Sequence, residues 1–180
     1  MQLIDSSTAP LQARSYFQDS DPGPIVAALA QVPELLTVAV PFISKVLGPI
    51  GLGIRIHELV IVRASALMKC EYCTQSHAYV ALKEGLDQQT VGDLMSETAR
   101  ELGEGPDEVA LLNWVDAVVE HRNAEAERCM TKLQEHFDDA QVVELTALLG
   151  ATVMLNIFCT ALELPTSPAA LETLRERGLV

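Results

Sequence analysis

Residues 54–85 read IRIHELVIVRASALMKCEYCTQSHAYVALKEG. From Ile54 to Met68 the side chains are apolar on almost every side of a helix, which predicts a helix at the centre of the fold. Cys70 to Glu84 predicts a second helix, and Gly85 ends it because glycine readily adopts the left-handed backbone that follows many helices. These two adjoining helices are the predicted core of the molecule.

The rest of the chain continues the helical pattern. Helix starts are indicated at Asp87, at Pro106 and at Asp138 or Asp139, where a capping carboxylate or a first-turn proline suits the end of a helix. The helices predicted from these starts are Gln88–Leu102, Glu108–His121, Asn123–His136 and Gln141–Glu163. No run alternates apolar and polar residues for long enough to predict a strand.

The segment before residue 54 is broken by Pro33, Pro41 and Pro49, and it predicts short, kinked helices because proline lacks a backbone N–H. The first residues are polar and end in the turn Asp-Pro-Gly-Pro at 21–24. A chain of 180 residues suits one domain. We therefore predict an N-terminal arm over residues 1–23 and a single all-α helical bundle over residues 24–180.

Charge and hydropathy limit the partners and the compartment. The net charge of −13 argues against a nucleic-acid partner, which would require clustered Lys and Arg. The first ten residues lack the basic and apolar regions of a secretory signal, so we expect a cytoplasmic protein. Leu145 to Leu162 carries no charge and approaches membrane-spanning length, but Thr146, Thr152, Asn156 and Thr160 interrupt it. These polar residues favour a helix buried in the bundle or in an oligomer interface.

The Cys70-Glu71-Tyr72-Cys73 motif carries the predicted chemistry. In a reducing compartment such a pair is typically catalytic or metal-binding, and its small loop suits a reversible disulfide. A helix that begins near Cys70 favours thiolate over thiol, because the first-turn amides and the helix dipole stabilise negative charge. His77 lies four residues after Cys73 on the same face, where it can exchange a proton with that thiol. The pattern predicts a thiol redox site.

Other assignments stay open on residue type and spacing alone. Glu58, on an apolar helix, is either a base or proton shuttle to His77, or the ion-pair partner of Arg55 or Arg63. Cys70, Cys73 and His77 are also a plausible zinc ligand set, and a non-catalytic helical oligomer is a further alternative. The remaining cysteines, Cys129 and Cys159, are expected to be ordinary helix cysteines, and His57 a packing histidine. No cofactor is expected.

The segment from His57-Glu58-Leu59-Val60 to Cys70-Glu71-Tyr72-Cys73-Thr74-Gln75-Ser76-His77 resembles the alkyl hydroperoxidase D / carboxymuconolactone decarboxylase-like superfamily. The later stretch from Val143-Glu144-Leu145 to Asn156 is similar to the helix that closes that fold. The resemblance implies an all-α fold of the alkyl hydroperoxidase D type that forms homo-oligomers, either trimers or hexamers.

The resemblance also implies a peroxidase cycle acting on small hydroperoxides. In that cycle Cys73 attacks the peroxide and becomes a sulfenic acid, Cys70 resolves it to a disulfide, and Glu58 and His77 carry protons. The reductant would be a lipoylated protein or another dithiol protein. One position departs from the peroxidase pattern: Tyr72 stands where those members have a relay histidine, and a tyrosine of ordinary pKa cannot exchange protons near neutrality.

Overall fold

The computed structural model describes residues 2–18, 21–96 and 102–180. Within these ranges the chain forms one 3₁₀ helix, Leu11–Phe17, and nine α-helices, and it contains no strand. The α-helices are α1 Pro24–Leu29, α2 Pro33–Leu47, α3 Ile54–Leu67, α4 Glu71–Lys83, α5 Gln88–Met95, α6 Pro106–Val119, α7 Asn123–Leu133, α8 Asp139–Ala161 and α9 Pro168–Glu176. The predicted all-α fold class is confirmed.

Helix α3 lies at the centre of the bundle. It packs against α4, α5, α6 and α8, and every residue from His57 to Ala66 is buried. Its apolar side chains form parts of two cores: Val60, Ile61 and Ala64 pack towards α6 and α8, whereas Leu59 and Val62 pack towards α4 and α5. The prediction of a central helix from residue 54 is therefore confirmed.

Several predicted helix boundaries are also confirmed. Gly85, which follows α4, has a φ of 94°, a conformation that costs glycine little because it has no Cβ. Asp87 caps α5 by accepting a hydrogen bond from the Thr90 amide at 3.0 Å. Of the two candidate caps for α8, it is Asp138 that accepts from the Gln141 amide, and the Gln141 side chain completes the capping box.

Helix α5 ends earlier than predicted, at Met95 instead of Leu102. Its last carbonyls are bound by a neighbouring side chain: Arg63 Nη1 donates to Ser96 O at 2.6 Å and to Leu94 O at 3.4 Å. A guanidinium that binds these carbonyls takes the place of further helical turns. The rest of the prediction, residues 97–101, lies outside the described residues, and Leu102 is not helical.

The segment before α3 also differs from its prediction. Pro41 lies inside the fifteen-residue α2 and does not divide it, because packing of Leu36 and Val46 on either side holds the helix despite one missing hydrogen bond. Part of the predicted arm is packed, since Ala13 and Phe17 are buried against the first two α-helices. The division into residues 1–23 and 24–180 remains a prediction.

Helix α8 is, within the described ranges, the one helix long and apolar enough to be considered as a membrane span. Half of its most apolar window is buried inside the fold, where it packs against α2, α3 and α4. Core helices of water-soluble proteins have the same length and composition. This packing is the arrangement that the polar residues of α8 predicted.

The carboxylate of Glu144, on α8, closes the turn that leads into α3. It accepts hydrogen bonds from the amides of Ile50 and Gly51 at 3.1 and 2.9 Å, and it lies 3.1 Å from Nε2 of His57. The other ring nitrogen of His57 lies 3.2 Å from the carbonyl oxygen of Leu47. Burial acts to raise the pKa of Glu144, but the hydrogen bonds from Gly51, Ile50 and His57 outweigh it, and the pKa is lowered.

We expect Glu144→Gln to reduce the free energy of unfolding by about 1–3 kcal/mol at neutral pH, because the amides and His57 lose a charged acceptor. Since the folded-state pKa lies below the ordinary value of 4.5, the carboxylate contributes fully above that pH, and its contribution is lost as the pH falls through the folded-state pKa. Urea unfolding between about pH 7 and pH 3 should show this acid-dependent loss in the parent but not in Glu144→Gln.

The exposed variant Glu172→Gln is the matched control, and its unfolding should follow the parent at every pH. An identical stability of Glu144→Gln and the parent at neutral pH would show that the turn does not depend on the carboxylate.

Candidate functional site

The turn between α3 and α4 places the first cysteine. Lys69 adopts a left-handed φ of 56°, the amide of Cys70 donates to Ser65 O at 3.1 Å, and the amide of Lys69 donates to Ala66 O at 3.0 Å. These two bonds form a Schellman ending of α3. Helix α4 begins at Glu71, so Cys70 is the N-cap of α4. The Sγ atom of Cys70 accepts a hydrogen bond from the Cys73 amide at 3.4 Å.

Helix α4 also carries His77, which contacts α3. His77 Nδ1 lies 3.0 Å from Oε2 of Glu58, whose side chain is 3% exposed, while that of His77 is 24% exposed. With a carboxylate as its acceptor, Nδ1 carries the proton, and Nε2 is left as the nitrogen able to accept one. The structure therefore brings Glu58 and His77 into contact. This contact is the one required if Glu58 acts as a base or proton shuttle to His77, which is one of the two interpretations of the sequence.

The alternative ion pairs of Glu58 are not formed. Arg55 Nε instead donates to Glu108 Oε1 at 2.7 Å, and Arg63 Nε donates to Asp116 Oδ1 at 2.7 Å. Both arginines thus bind carboxylates of α6. Glu58 is left facing α4, where His77 is its hydrogen-bond partner.

A small cavity of about 50 Å³ lies beside the second cysteine. Its wall includes the side chains of Tyr72, Cys73, His77 and Asn156, and apolar residues of α1, α2 and α3 complete it. Cys70 does not line it. Two larger clefts, of about 850 and 590 Å³, lie elsewhere and contain neither cysteine of the motif, so we take the small cavity as the candidate site.

Asn156 presents an unusual polar atom at this cavity. Its Nδ2 donates to Thr152 O at 2.7 Å and to Ser65 Oγ at 3.2 Å. Because the Thr152 carbonyl can only accept, the side-chain atom facing it must be the nitrogen of the Asn156 amide. Its Oδ1 is buried and accepts no hydrogen bond from any residue that the structure describes. Buried acceptors are rarely left without a donor, which indicates a role in binding a small polar molecule.

The expectation that Cys159 is an ordinary helix cysteine is wrong. It is buried in α8 in one cluster with Cys70 and Cys73, close enough for each thiol to shift the pKa of the others. The sequence signal for this contact is weak: Cys159 follows Leu155 and Asn156 on the buried face of α8, but periodicity does not say which residues that face meets. Cys129, on α7, is not in contact with the motif and lines the 590 Å³ cleft.

The three thiols do not share negative charge equally. Hydrogen bonds from Cys159 and Cys73 lower the pKa of Cys70 well below its ordinary value. The pKa of Cys73 is raised by its interactions with Cys159 and Cys70 and by burial. The pKa of Cys159 is raised by its interaction with Cys70 and by burial, which outweigh the opposing effect of Cys73. Cys70 is therefore the thiolate of the reduced cluster, and the other two thiols are donors to it.

Tyr72 keeps its proton at neutral pH. Burial, followed by the nearby Cys159 and Cys73 sulfurs, raises the pKa of its hydroxyl to about 12. The hydroxyl therefore does not exchange protons near neutrality as a relay histidine would.

The zinc alternative finds no support in this geometry. Among the residues that the structure describes, no group of three His, Cys, Asp or Glu side chains is arranged to hold a metal ion. His77 places Nδ1 3.0 Å from Oε2 of Glu58 instead.

Comparison with known proteins agrees with the all-α fold. Residues 33–117, which include Glu58, both motif cysteines and His77, match the carboxymuconolactone decarboxylase family. A protein of unknown function from Agrobacterium tumefaciens, whose description refers to AhpD and antioxidant defence, is 27% identical with a TM-score of 0.69, over 78% of this chain and 95% of that one. In its matched residues and its fold, the chain is similar to the alkyl hydroperoxidase D / carboxymuconolactone decarboxylase-like superfamily.

More distant structures share the fold over almost the whole chain. An uncharacterized peroxidase-related protein from Ralstonia eutropha, 16% identical, has a TM-score of 0.79 over 94% of this chain and 93% of that one. The debrominase Bmp8, 14% identical, has a TM-score of 0.77 over 97% and 96%. Comparison with curated proteins gives no match. These likenesses show that the chain shares its all-α fold with both structures.

We expect the fully reduced protein to carry one thiolate per chain well below pH 7, because the two neighbouring thiols and the Cys73 amide stabilise Cys70. Ultraviolet thiolate absorbance measured from about pH 4 to about pH 9 should show it, and Cys70→Ser should remove it. Cys129→Ser is the matched control and should leave it unchanged. A first thiolate that appears only near the ordinary value of about 8.5 would contradict this charge distribution.

Proposed function

We propose that this protein is a thiol peroxidase that reduces small hydroperoxides through Cys73, with Cys70 as the resolving thiol. The proposal rests on one observation above all. Cys73 and His77 line the same cavity, and Glu58 holds His77 from behind through a 3.0 Å contact. In many enzymes a nucleophile is activated by a neighbouring base, and a carboxylate orients that base.

The cavity supports the substrate class. At about 50 Å³ it has room for one or two water-sized groups, which suits a peroxide group rather than a bulky substrate. Its polar atoms complement such a group, since the Asn156 Oδ1 can accept from the terminal hydroxyl and the Tyr72 hydroxyl can donate to the other oxygen. The proposed substrate is hydrogen peroxide or a small alkyl hydroperoxide.

In the first step Cys73 loses its proton and attacks the terminal peroxide oxygen. The proton moves to Nε2 of His77, and the Glu58 carboxylate stabilises the charged imidazole. The S–O bond forms as the O–O bond breaks, so Cys73 becomes a sulfenic acid and the peroxide leaves as an alkoxide. The alkoxide takes up the proton and departs as an alcohol, or as water from hydrogen peroxide.

In the second step Cys70 attacks the sulfur of the Cys73 sulfenic acid. The S–S bond forms, the S–O bond breaks, and the departing hydroxide takes up a proton to become water. The low pKa of Cys70 supports this role, because the resolving thiol is already a thiolate. A dithiol reductant, for which we propose a lipoylated or similar dithiol protein, then returns both cysteines to thiols.

The same proposal includes the assembly and the compartment. Exposed apolar side chains lie on the neighbouring helices α2 and α8, among them Val38 and Phe42 on the first and Met154 and Ile157 on the second. Such a surface supports association with further copies of the chain, as a trimer or a hexamer. A reversible disulfide with a dithiol reductant suits the reducing cytoplasm.

One equivalent of peroxide added to reduced protein should remove two thiols per chain and place Cys73 in a new disulfide. Cys73→Ser should abolish peroxide consumption, because the cavity then holds no thiol, whereas Cys129→Ser should consume peroxide at the parent rate. Thiol titration and mass spectrometry measure both results. If all thiols of the parent persist, or if Cys73→Ser remains as active as the parent, the peroxidase assignment is wrong.

Glu58→Gln should slow the oxidation of Cys73 by about 10²-fold, because an amide does not stabilise a charged His77. His77→Gln should cause a similar loss, and the double variant should lose little more than either alone, since both act through one proton transfer. Stopped-flow measurement with hydrogen peroxide gives the rates.

Glu108→Gln is the matched control for Glu58→Gln, because it removes a buried carboxylate that pairs with Arg55 outside the cavity. It should reduce stability while leaving the rate per folded molecule unchanged. Fully additive losses in Glu58→Gln and His77→Gln would show that the two side chains do not form a relay.

A further inference from the structure

The site contains a third cysteine that the two-cysteine cycle does not use. Cys159, on α8, is 1% exposed, and it lies in one buried cluster with Cys70 and Cys73. The three side chains pack together there, close enough for each thiol to shift the pKa of the others. It is separated from Cys73 by 86 positions in the sequence, so only the packing of α8 against α4 brings it there.

We propose that Cys159 is a third redox thiol of this site and an alternative resolving cysteine, which forms a disulfide with Cys73 when Cys70 does not. This inference rests on the proposed peroxidase function for its oxidant. It goes beyond that function because it makes the site a three-thiol system, in which two helices supply the resolving groups.

The chemistry balances without a further reactant. A Cys73 sulfenic acid and the Cys159 thiol form an S–S bond, the S–O bond of the sulfenic acid breaks, and its oxygen leaves as water with the thiol proton. Exchange is also balanced: Cys159 can attack Cys70 in a Cys70–Cys73 disulfide, which forms a Cys70–Cys159 bond, breaks the Cys70–Cys73 bond and transfers the Cys159 proton to the Cys73 sulfur. The second reaction changes which thiol is free but not the total oxidation.

The surroundings favour reaction inside the cluster. Apolar groups, including Ala28 and Leu164, pack around the three cysteines, so bulk water reaches their sulfurs poorly. A sulfenic acid formed there has the other cluster thiols as its nearest nucleophiles. Among them the Cys159 thiol is the one carried by a separate helix, so a bond to it would join α8 to α4.

The sequence permits an unambiguous assay. Trypsin cleaves after Lys69 and Lys83, which leaves Cys70 and Cys73 in one peptide, and after Lys132 and Arg175, which leaves Cys159 in another. A Cys70–Cys73 bond is therefore internal to one peptide, whereas any bond to Cys159 joins two. Cys129→Ser is included in every variant, so that the remaining free thiol does not react.

The decisive variant is Cys70→Ser, since serine is a favoured N-cap and should preserve the start of α4. Treated with diamide, which takes two hydrogens from a neighbouring thiol pair, it should lose two thiols per chain and yield the joined peptides. Non-reducing electrophoresis should show a monomer, which excludes a bond between chains. Cys70→Ser with Cys159→Ala should keep its thiol, and Cys159→Ser in place of alanine should give the same result if the alanine variant folds poorly.

A Cys70→Ser variant that keeps both thiols in diamide, or that links only between chains, would overturn the inference about Cys159. The proposed function is judged separately with hydrogen peroxide. There, Cys70→Ser should again yield the joined peptides, and adding Cys159→Ala should leave a Cys73 sulfenic acid that dimedone traps. If diamide produces a Cys73–Cys159 bond but peroxide does not react, the inference that Cys159 is a redox thiol is supported and the peroxidase function is refuted.

Discussion

Helix α3 exposes no face to water from His57 to Ala66, so each polar side chain on it must find a partner in another part of the fold. Arg63 binds Asp116 on α6 and the carbonyls at the end of α5. Glu58 binds His77 on α4, and the remaining two polar side chains, His57 and Ser65, meet residues of α8. The polar contacts of one buried helix thus position most of the bundle around it.

The candidate site is a consequence of that constraint. A buried carboxylate is costly unless it is paired, and the Glu58 pairing fixes the rotation of α4 about its axis by holding His77. With His77 held, Cys73 faces the cavity and Cys70 remains at the helix start, where the first-turn amide and two thiols stabilise its charge. The thiol that is charged and the thiol that faces the cavity are therefore different residues, which suits a division into resolving and attacking roles.

Local signals predicted the elements well where a short-range interaction decides the backbone. Gly85 and the cap of α8 act within one helical turn: Gly85 follows α4 as predicted, and Asp138, one of the two candidate caps, is the residue that caps α8. Predictions failed where distant contacts decide: α5 stops short because Arg63 from α3 binds its carbonyls, and Pro41 is tolerated because packing holds α2 on both sides. Neither partner can be inferred from the residues next to the affected segment.

The sequence by itself determined the helical class, the central helix, and the placing of Cys70, Cys73 and His77 on one face of a helix, because helical periodicity and capping depend on neighbours within a few residues. Tertiary structure alone decided that Glu58 binds His77 rather than an arginine, that Asn156 presents an acceptor to the cavity, and that Cys159 joins the motif. The physical reason is that α8 meets α3 and α4 by side-chain packing, and the register of two packed helices depends on the shapes of both surfaces rather than on the sequence of either one.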